Sequence, residues 1–392
     1  MTPAARVQSA IEILDTVIAA ATSNGPPADR VLAEWIRTHR FAGSKDKRAI
    51  RELVYGAIRA CGPIPASGRA AMLRLVEVEP ELAQHFDGSQ YGAPAIGTGE
   101  EAAKGGLGAP VIEKLLAKSD IVGDEAAGLL GRAPLDIRVN TFKASRDTIE
   151  LPVAAEEIAA PNGLRLPTGT PVEQWDAYKE GLVEVQDCGS QIACLAVGAR
   201  PGQTVIDLCA GAGGKTLALA AAMDNTGTLI ASDTDRGRLS RLPARAGRAG
   251  IGMIETVLLD PGKEAQALSK WRGKADAVLV DAPCTGTGTW RRKPDARWRL
   301  KPAELDKVSD LQTRLLELAA TLVKPGGRVI YVVCSLLDAE GPEVVADFLS
   351  ADPRLAAQDL HLPLGTPRGP GIRLTPHHDG TDGFFIACIG SA

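Results

Sequence analysis

Between Thr204 and Ile389 short apolar runs alternate with helical stretches, and this alternation limits the possible folds more than any other feature. Thr204–Leu208, Thr228–Ser232, Thr256–Leu259, Ala277–Val280, Val329–Val333 and Phe384–Ile389 have the length and β-branched content of strands. Leu217–Met223 reads as a helix. A longer helix is predicted over 303–323, where Leu305, Val308, Leu311, Leu315, Leu318 and Leu322 keep a helical spacing. Strand and helix in alternation predict an α/β fold with a doubly wound, mainly parallel sheet. In such a sheet, ligands bind outside the carboxyl ends of the strands.

The rest of the chain reads differently. Residues 1–86 carry helical periodicity, with Val7, Ile11, Leu14 and Val17–Ile18 on one face. Ser44 is the expected N-cap of a helix running through Ile50, Leu53, Val54 and Ile58. Residues 87–132 read as a glycine-rich linker followed by a helical piece. Alternation at Leu135–Asn140 predicts a strand, so 133–180 is read as a small α/β segment and 181–392 as the doubly wound domain. Arg30, Arg37, Arg40, Lys45, Lys47, Arg48 and Arg51 make the polar face of the early helices basic. That face is either solvated or an RNA contact.

Composition narrows the chemistry. The formal net charge is −4, so no nucleic-acid partner follows from overall charge, although a local basic groove is compatible with it. The seven cysteines are odd in number and none has CxxC spacing, which argues against a disulfide framework and for a reducing compartment. The five histidines form no zinc pattern with them, so no metal is expected. The longest apolar run, Leu217–Met223, falls far short of the roughly 20 residues of a membrane span. Arg6, Glu12 and Asp15 interrupt the first apolar stretch, so it is not a signal peptide, and the expected location is cytoplasmic.

The segment Asp207-Leu-Cys-Ala-Gly-Ala-Gly-Gly-Lys-Thr216 follows one predicted strand and opens one predicted helix. A Walker loop would need Gly at Cys209, and a dinucleotide fingerprint starting at Gly211 would need Gly or Ala at Thr216; each misses by one residue. A glycine turn behind an acid suits a ligand with a cation and a nucleoside but no phosphate, which is S-adenosyl-L-methionine. Asp233, 22 residues beyond Gly211 and directly at a strand end, suits the ribose hydroxyls; Asp235 competes for that role. Asp260 ends the next strand, on the adenine side.

Asp281-Ala-Pro-Cys284 ends the fourth strand of the series and Cys334 ends the fifth. A lone cysteine is most often a small buried hydrophobe, and that reading is kept for Cys61, Cys188, Cys194 and Cys388. It is weaker for two cysteines at the ligand edge of one sheet. Their chemistry suits a pyrimidine. C5 of cytosine is a poor nucleophile, but a thiolate added to C6 leaves an enamine with electron density at C5, ready to take a methyl group. Asp281 could hold the N3/N4 edge of such a base. The loop continues into Arg291, Arg292, Lys293 and Arg297, with Arg299 and Lys301 beyond, a basic cluster suited to an RNA backbone. Which cysteine attacks is left open by this chemistry.

These motifs resemble the RsmB/Sun family of RNA cytosine-C5 methyltransferases. The likeness rests on DLCAGAGGKT at 207–216, DAPCTGTGTWRRKPD at 281–295 and LVKPGGRVIYVVCS at 322–335. APLDIRVN at 133–140, VQDCGSQ at 185–191 and DGFF at 382–385 add to it. It covers about 133–392, and residues 30–59 look like the NusB-type helical domain at the front of some members. The resemblance implies a Rossmann-like class I methyltransferase domain. It implies that Cys334 is the C6 nucleophile, that Cys284 aids product release, and that Asp281 and Lys215 complete the catalytic set. Cofactor contacts fall on Cys209, Ala210, Gly211, Ala212, Gly213, Gly214, Lys215, Asp233, Asp260 and Asp281. The implied activity is formation of 5-methylcytosine in ribosomal RNA by a monomer. The alternatives are a catalytically idle ribosome-assembly factor and a small-molecule methyltransferase; the intact loop and Cys334 argue against the first, the basic 291–301 cluster against the second.

Overall fold

The computed structural model describes residues 1–391. The chain forms two compact units, and the division does not follow chain order. One unit is Met1–Arg132 together with Thr289–Pro302; the other is built from 133–288 and from 303 onward.

The first unit is helical: Pro3–Thr22, Ala28–Thr38, Ser44–Ala60, Gly68–Val78, Pro110–Lys118 and Gly123–Gly128. Val7, Leu14 and Val17 meet Ile50, Val54, Ile58 and Met72 in its core, each helix burying one apolar stripe. Gly43, in extended conformation, is the N-cap of Ser44–Ala60, and Ser44 is the first helical residue. The expected Ser44 cap is replaced by Asp46, whose carboxylate accepts the Gly43 N–H at 3.0 Å. No regular element lies between His85 and Pro110, and the helix predicted beyond it is split around Asp120, whose φ is +58°.

Thr289–Pro302 is a strut inside this helical unit. Asp295 Oδ2 accepts the Ala28 N–H at 3.1 Å and so caps a helix whose own N-cap, Pro27, offers no side-chain acceptor. Arg297 Nη2 donates to the carbonyls of Ile58, Arg59 (3.0 Å) and Cys61 (2.5 Å), at the end of Ser44–Ala60 where carbonyls lack intrahelical partners and the helix dipole is negative. Trp298 Nε1 donates to Gly62 O at 3.0 Å, and Arg299 to the carbonyls of Gly25 and Pro26, both at 2.8 Å.

The second unit carries two sheets. The smaller comprises β1 (Leu135–Val139), β2 (Glu156–Glu157), β3 (Gly163–Leu166) and β4 (Val183–Val185), antiparallel in the order β2-β3-β1-β4. The larger comprises β5 (Thr204–Asp207), β6 (Thr228–Asp233), β7 (Ile254–Leu258), β8 (Ala275–Asp281), β9 (Val323–Val333), β10 (Leu355–Gln358), β11 (Thr366–Arg368), β12 (Gly371–Leu374) and β13 (Phe384–Ser391). Its order is β11-β12-β13-β9-β8-β5-β6-β7, with β10 pairing β13. β5 to β9 are parallel, and β10 to β13 join antiparallel.

The central strands are apolar on both sides. Val205, Leu229, Ala277 and Ile330 enter one core, and Ile206, Ile230, Val278 and Tyr331 the other. Strands buried on two faces read as continuous apolar runs, and the sequence shows that pattern. The chain runs from β5 outward through β6 and β7, then returns to lay β8 on the other side of β5. That reversal opens a crevice at the carboxyl ends of β5 and β8.

Candidate active site

The acids and thiols that matter follow strands at that crevice. β5 ends at Asp207, β6 at Asp233 and β8 at Asp281; Cys334 directly follows β9. Cys284 lies three residues past β8 and Asp260 two past β7. The parallel register sets these ends at one edge, with Asp207 opposite Leu279 and Asp281 opposite Val332.

The glycine loop is built from its backbone outward. Gly211 (φ +56°) and Gly213 (φ +85°) are left-handed. A Cβ on Gly211 would lie 2.2 Å from Arg238 Nη2, and one on Gly213 would lie 2.1 Å from Leu242 Cδ1. On Gly214 a Cβ would meet nothing within 4 Å, so the loop presents bare backbone to open space there. Asp233 ties the loop to β6: Oδ2 accepts the Gly211 N–H and Oδ1 the Asp235 N–H, both at 2.7 Å. Each oxygen keeps a lone pair for a further donor. Asp235 caps Arg238 N at 2.9 Å and closes a helical turn. Arg245 Nη1 holds the Ala212 carbonyl at 2.6 Å, a contact that no motif announced.

Asp207, the acid before the glycines, does not face a ligand. It is buried beneath the loop and accepts Thr216 Oγ1 at 2.6 Å, joining the two ends of the motif. Burial pushes its carboxyl up to about 7, against the Thr216 hydrogen bond and with the help of nearby Asp281. Burial likewise pushes the Cys209 thiol up, assisted by Asp281, Asp207 and Asp233, which marks it as an inert wall of the loop.

Lys215 and Asp281 form the next layer. Lys215 Nζ lies 2.8 Å from Asp281 Oδ2 and 5.6 Å from the centroid of the Phe384 ring. Burial opposes the ammonium charge. The neighbouring Asp281 outweighs it, together with Cys194 and Cys334, and the net shift of Lys215 is upward. Lys215 is thus a fixed cation, held by Asp281 and felt by Cys334.

Beside this pair, Cys284 Sγ and Cys334 Sγ stand 3.4 Å apart. Both are half-buried and neither is in a disulfide. The hydrogen bond to Cys334 and then burial push the Cys284 thiol well up. Among the other thiols, Cys61, Cys188 and Cys388 are buried, and Cys194 is half-buried with its Sγ donating to Ser190 O at 3.2 Å.

The basic cluster is divided. Lys293 is exposed and Arg292 half-buried, whereas Arg291 and Arg297 are buried in the helical unit. Arg297, expected at a phosphate, is occupied by three helix carbonyls, and burial lowers its guanidinium to about 10. The expectation fails there because arginine clustering in sequence does not distinguish a phosphate from a helix end, and both attract a guanidinium.

A strand-end glycine cradle, a strand-end carboxylate with lone pairs to spare and a crevice at the sheet's reversal define a Rossmann-like methyltransferase domain whose cofactor is S-adenosyl-L-methionine. The family profile for 16S rRNA methyltransferase RsmB/F matches residues 194–390, half of the chain. This chain belongs to that family. It is 32% identical over 289 residues to the probable ribosomal RNA small subunit methyltransferase B of Bacillus subtilis, covering 69% of this chain and 64% of that one. It is 35% identical over 274 residues to the corresponding Synechocystis protein, covering 66% and 60%. The matches therefore span less than two thirds of either relative's length. Among solved structures, PH0851 covers 100% of this chain and 99% of its own, at a TM-score of 0.75 and 24% identity, a likeness of fold. A methyltransferase homologue from Pyrococcus horikoshii covers 72% of this chain and 99% of its own, at 0.58 and 25%. NSun6 from the same organism, solved with SFG, covers 71% and 96%, at 0.60 and 19%.

No helix among the described residues is long and apolar enough to cross a membrane. The same residues contain no cluster of His, Cys, Asp and Glu that could hold a metal ion.

Proposed function

We propose that this chain methylates C5 of a cytosine in 16S ribosomal RNA in the cytoplasm, through a covalent adduct on Cys334. The observation that carries the reading is the Cys284–Cys334 pair, 3.4 Å apart beside the Lys215–Asp281 ion pair. Two thiols in contact at the ligand edge serve no structural need that one small apolar residue would not meet. They do serve a reaction that needs one sulphur to attack and a second group to help restore the ring.

Cys334 adds to C6, helped by the Lys215 charge and by the hydrogen bond it shares with Cys284. Asp281, steadied by Lys215, accepts from the N4 amino group of the base, and from N3 once N3 has taken the proton that Cys334 sheds as it attacks. S-adenosyl-L-methionine, when bound, supplies the electrophilic methyl that C5 takes. Asp233 would hold the ribose of the cofactor, Asp260 the adenine side, and residues 209–215 the methionine part. In the elimination Cys284 passes its proton to the sulphur of Cys334 as the C6–S bond breaks and takes the C5 proton in its place, while N3 gives its proton to solvent. Arg292 and Lys293 would meet the RNA backbone, and residues 1–86 are read as a NusB-like helical domain.

Incubating the protein with S-adenosyl-L-methionine and 16S RNA from cells lacking it, then analysing the nucleosides by mass spectrometry, tests the reading. The expected product is 5-methylcytosine at one position. Methylation of a ring nitrogen, an exocyclic amine or a ribose would overturn it.

A further inference from the structure

Glu340 lies outside every motif noted in the sequence, yet it joins the two loops that carry the thiols. It is fully buried, and among the described residues it forms no ion pair and its hydrogen-bond partners are neutral. Oε1 accepts the Thr285 N–H at 2.8 Å and Gln312 Nε2 at 3.3 Å. Oε2 accepts the hydroxyls of Thr285 and Ser335, the latter at 2.5 Å. Thr285 directly follows Cys284, and Ser335 directly follows Cys334. One carboxylate therefore clasps the two residues next in chain to the two sulphurs.

The clasp closes from the other side as well. Gln312, on the long helix Leu305–Leu322, donates from the same Nε2 to the Pro283 carbonyl at 2.9 Å. Cys284 is thereby pinned through the residue before it and the residue after it. Other bonds bring the loops together further along: Gly288 N to Cys334 O at 3.0 Å and Leu336 N to Thr287 Oγ1 at 2.8 Å. With Ala282 N to Val332 O at 2.9 Å they hold the chain on either side of the pair, and Glu340 and Gln312 hold the residues next to Cys284. Burying a carboxylate among neutral donors is costly unless its lone pairs are filled, and four donors fill them here. The Tyr331 hydroxyl, bonded to the Glu340 carbonyl at 2.7 Å, fixes the backbone from which the carboxylate reaches.

We propose that Glu340 is a positioning residue that sets the Cys284–Cys334 separation, and that this separation limits turnover. The proposal rests on the reading of the two cysteines as attacking and releasing groups. Misplacing a reacting group by about 1 Å can cost on the order of a hundredfold in rate. Glu340→Gln is the same shape but puts an amide donor where Oε2 receives two hydroxyls, so the clasp loosens while the fold is kept.

The test has two readouts. One is kinetic: for Glu340→Gln, kcat falls at least about tenfold while KM for RNA and Kd for S-adenosyl-L-methionine stay within about twofold. The other needs no activity. A trivalent arsenical, phenylarsine oxide, bridges two thiols only when both sulphurs reach one arsenic atom. It should protect Cys284 and Cys334 jointly from iodoacetamide in the parent protein, as read by peptide mass mapping. In Glu340→Gln that joint protection is lost, while each thiol still alkylates singly. Thr285→Val, which removes one arm of the clasp, gives the same change to a smaller degree and serves if Glu340→Gln does not fold. Joint protection and kcat both retained in Glu340→Gln would overturn the proposal; so would lost protection with kcat unchanged. If the parent protein shows joint protection that Glu340→Gln loses but makes no 5-methylcytosine, the functional reading fails and the positioning role of Glu340 survives without its catalytic consequence.

Discussion

Residues 281–288 and residues 289–302 are one motif in sequence and two environments in the structure. The first stretch stays at the carboxyl edge of the large sheet, where Asp281 meets Lys215 and Cys284 meets Cys334. The second belongs to the helical unit, where Asp295 caps one helix start and Arg297 fills one helix end. Arg297 and Arg299 there are taken up by backbone carbonyls, while Asp281 and the two thiols of the sheet edge meet other side chains. One sequence motif can thus lie at a sheet edge at one end and inside a helical unit at the other.

The comparison can be broken by substitution on each side. On the sheet-edge side, Cys334→Ala should lower methyl transfer by at least about a thousandfold with an unchanged circular dichroism spectrum, as expected for loss of a nucleophile. Label transfer from methyl-labelled S-adenosyl-L-methionine measures it, and ordinary activity in the variant would remove Cys334 from the reaction.

Next in size is a pH effect from Asp207. Its carboxyl is raised to about 7 by burial, so between its ordinary range and that value the folded protein keeps a proton that the unfolded chain gives up. Stability should therefore fall as pH rises from about 4 to about 7, by roughly 4 kcal/mol if the whole shift is expressed. Asp207→Asn keeps an acceptor for Thr216 Oγ1 and should flatten that slope. Urea unfolding of both proteins across this range measures the difference, and parallel curves would contradict the account.

On the helical side, Arg297→Ala strips a donor from three helix-end carbonyls. It should destabilise the protein by about 2–4 kcal/mol. RNA affinity, measured below the variant's melting range, should stay the same. A weakened RNA affinity at unchanged stability would return Arg297 to the phosphate role. Lys293→Ala should do the reverse on a smaller scale: stability within about 0.5 kcal/mol, and a salt slope of RNA binding shallower by about one. An unchanged slope would leave the exposed part of the cluster without an RNA contact.

Much of the sheet and its edge was legible in the sequence because both obey local rules. Strands buried on two faces leave continuous apolar runs, and a glycine turn between strand and helix leaves Gly211 and Gly213. Asp233, Asp281, Cys284 and Cys334 could be placed at one edge because each stands at or just past the end of such a run. Chain order alone could not separate Asp233 from Asp235; in the structure Asp233 ties the glycine loop to β6 and Asp235 caps Arg238. Asp207 was legible as a motif acid, but its burial was not. Glu340 and Gln312 were invisible because their work depends on partners 55 and 29 residues away, at Thr285 and Pro283, and no short pattern encodes those meetings. Arg297 misled for the same reason, its carbonyl partners lying more than 200 residues back in the chain.

The most direct measurement of the central claim is adduct trapping. Cys284→Ala protein, incubated with S-adenosyl-L-methionine and RNA from cells lacking the protein, is run on a denaturing gel, and the RNA that stays attached is sequenced. The account predicts a covalent protein–RNA band that maps to one cytosine and disappears when Cys334→Ala is added. A band that persists without Cys334 would contradict it, as would no band under conditions where the parent protein methylates that cytosine.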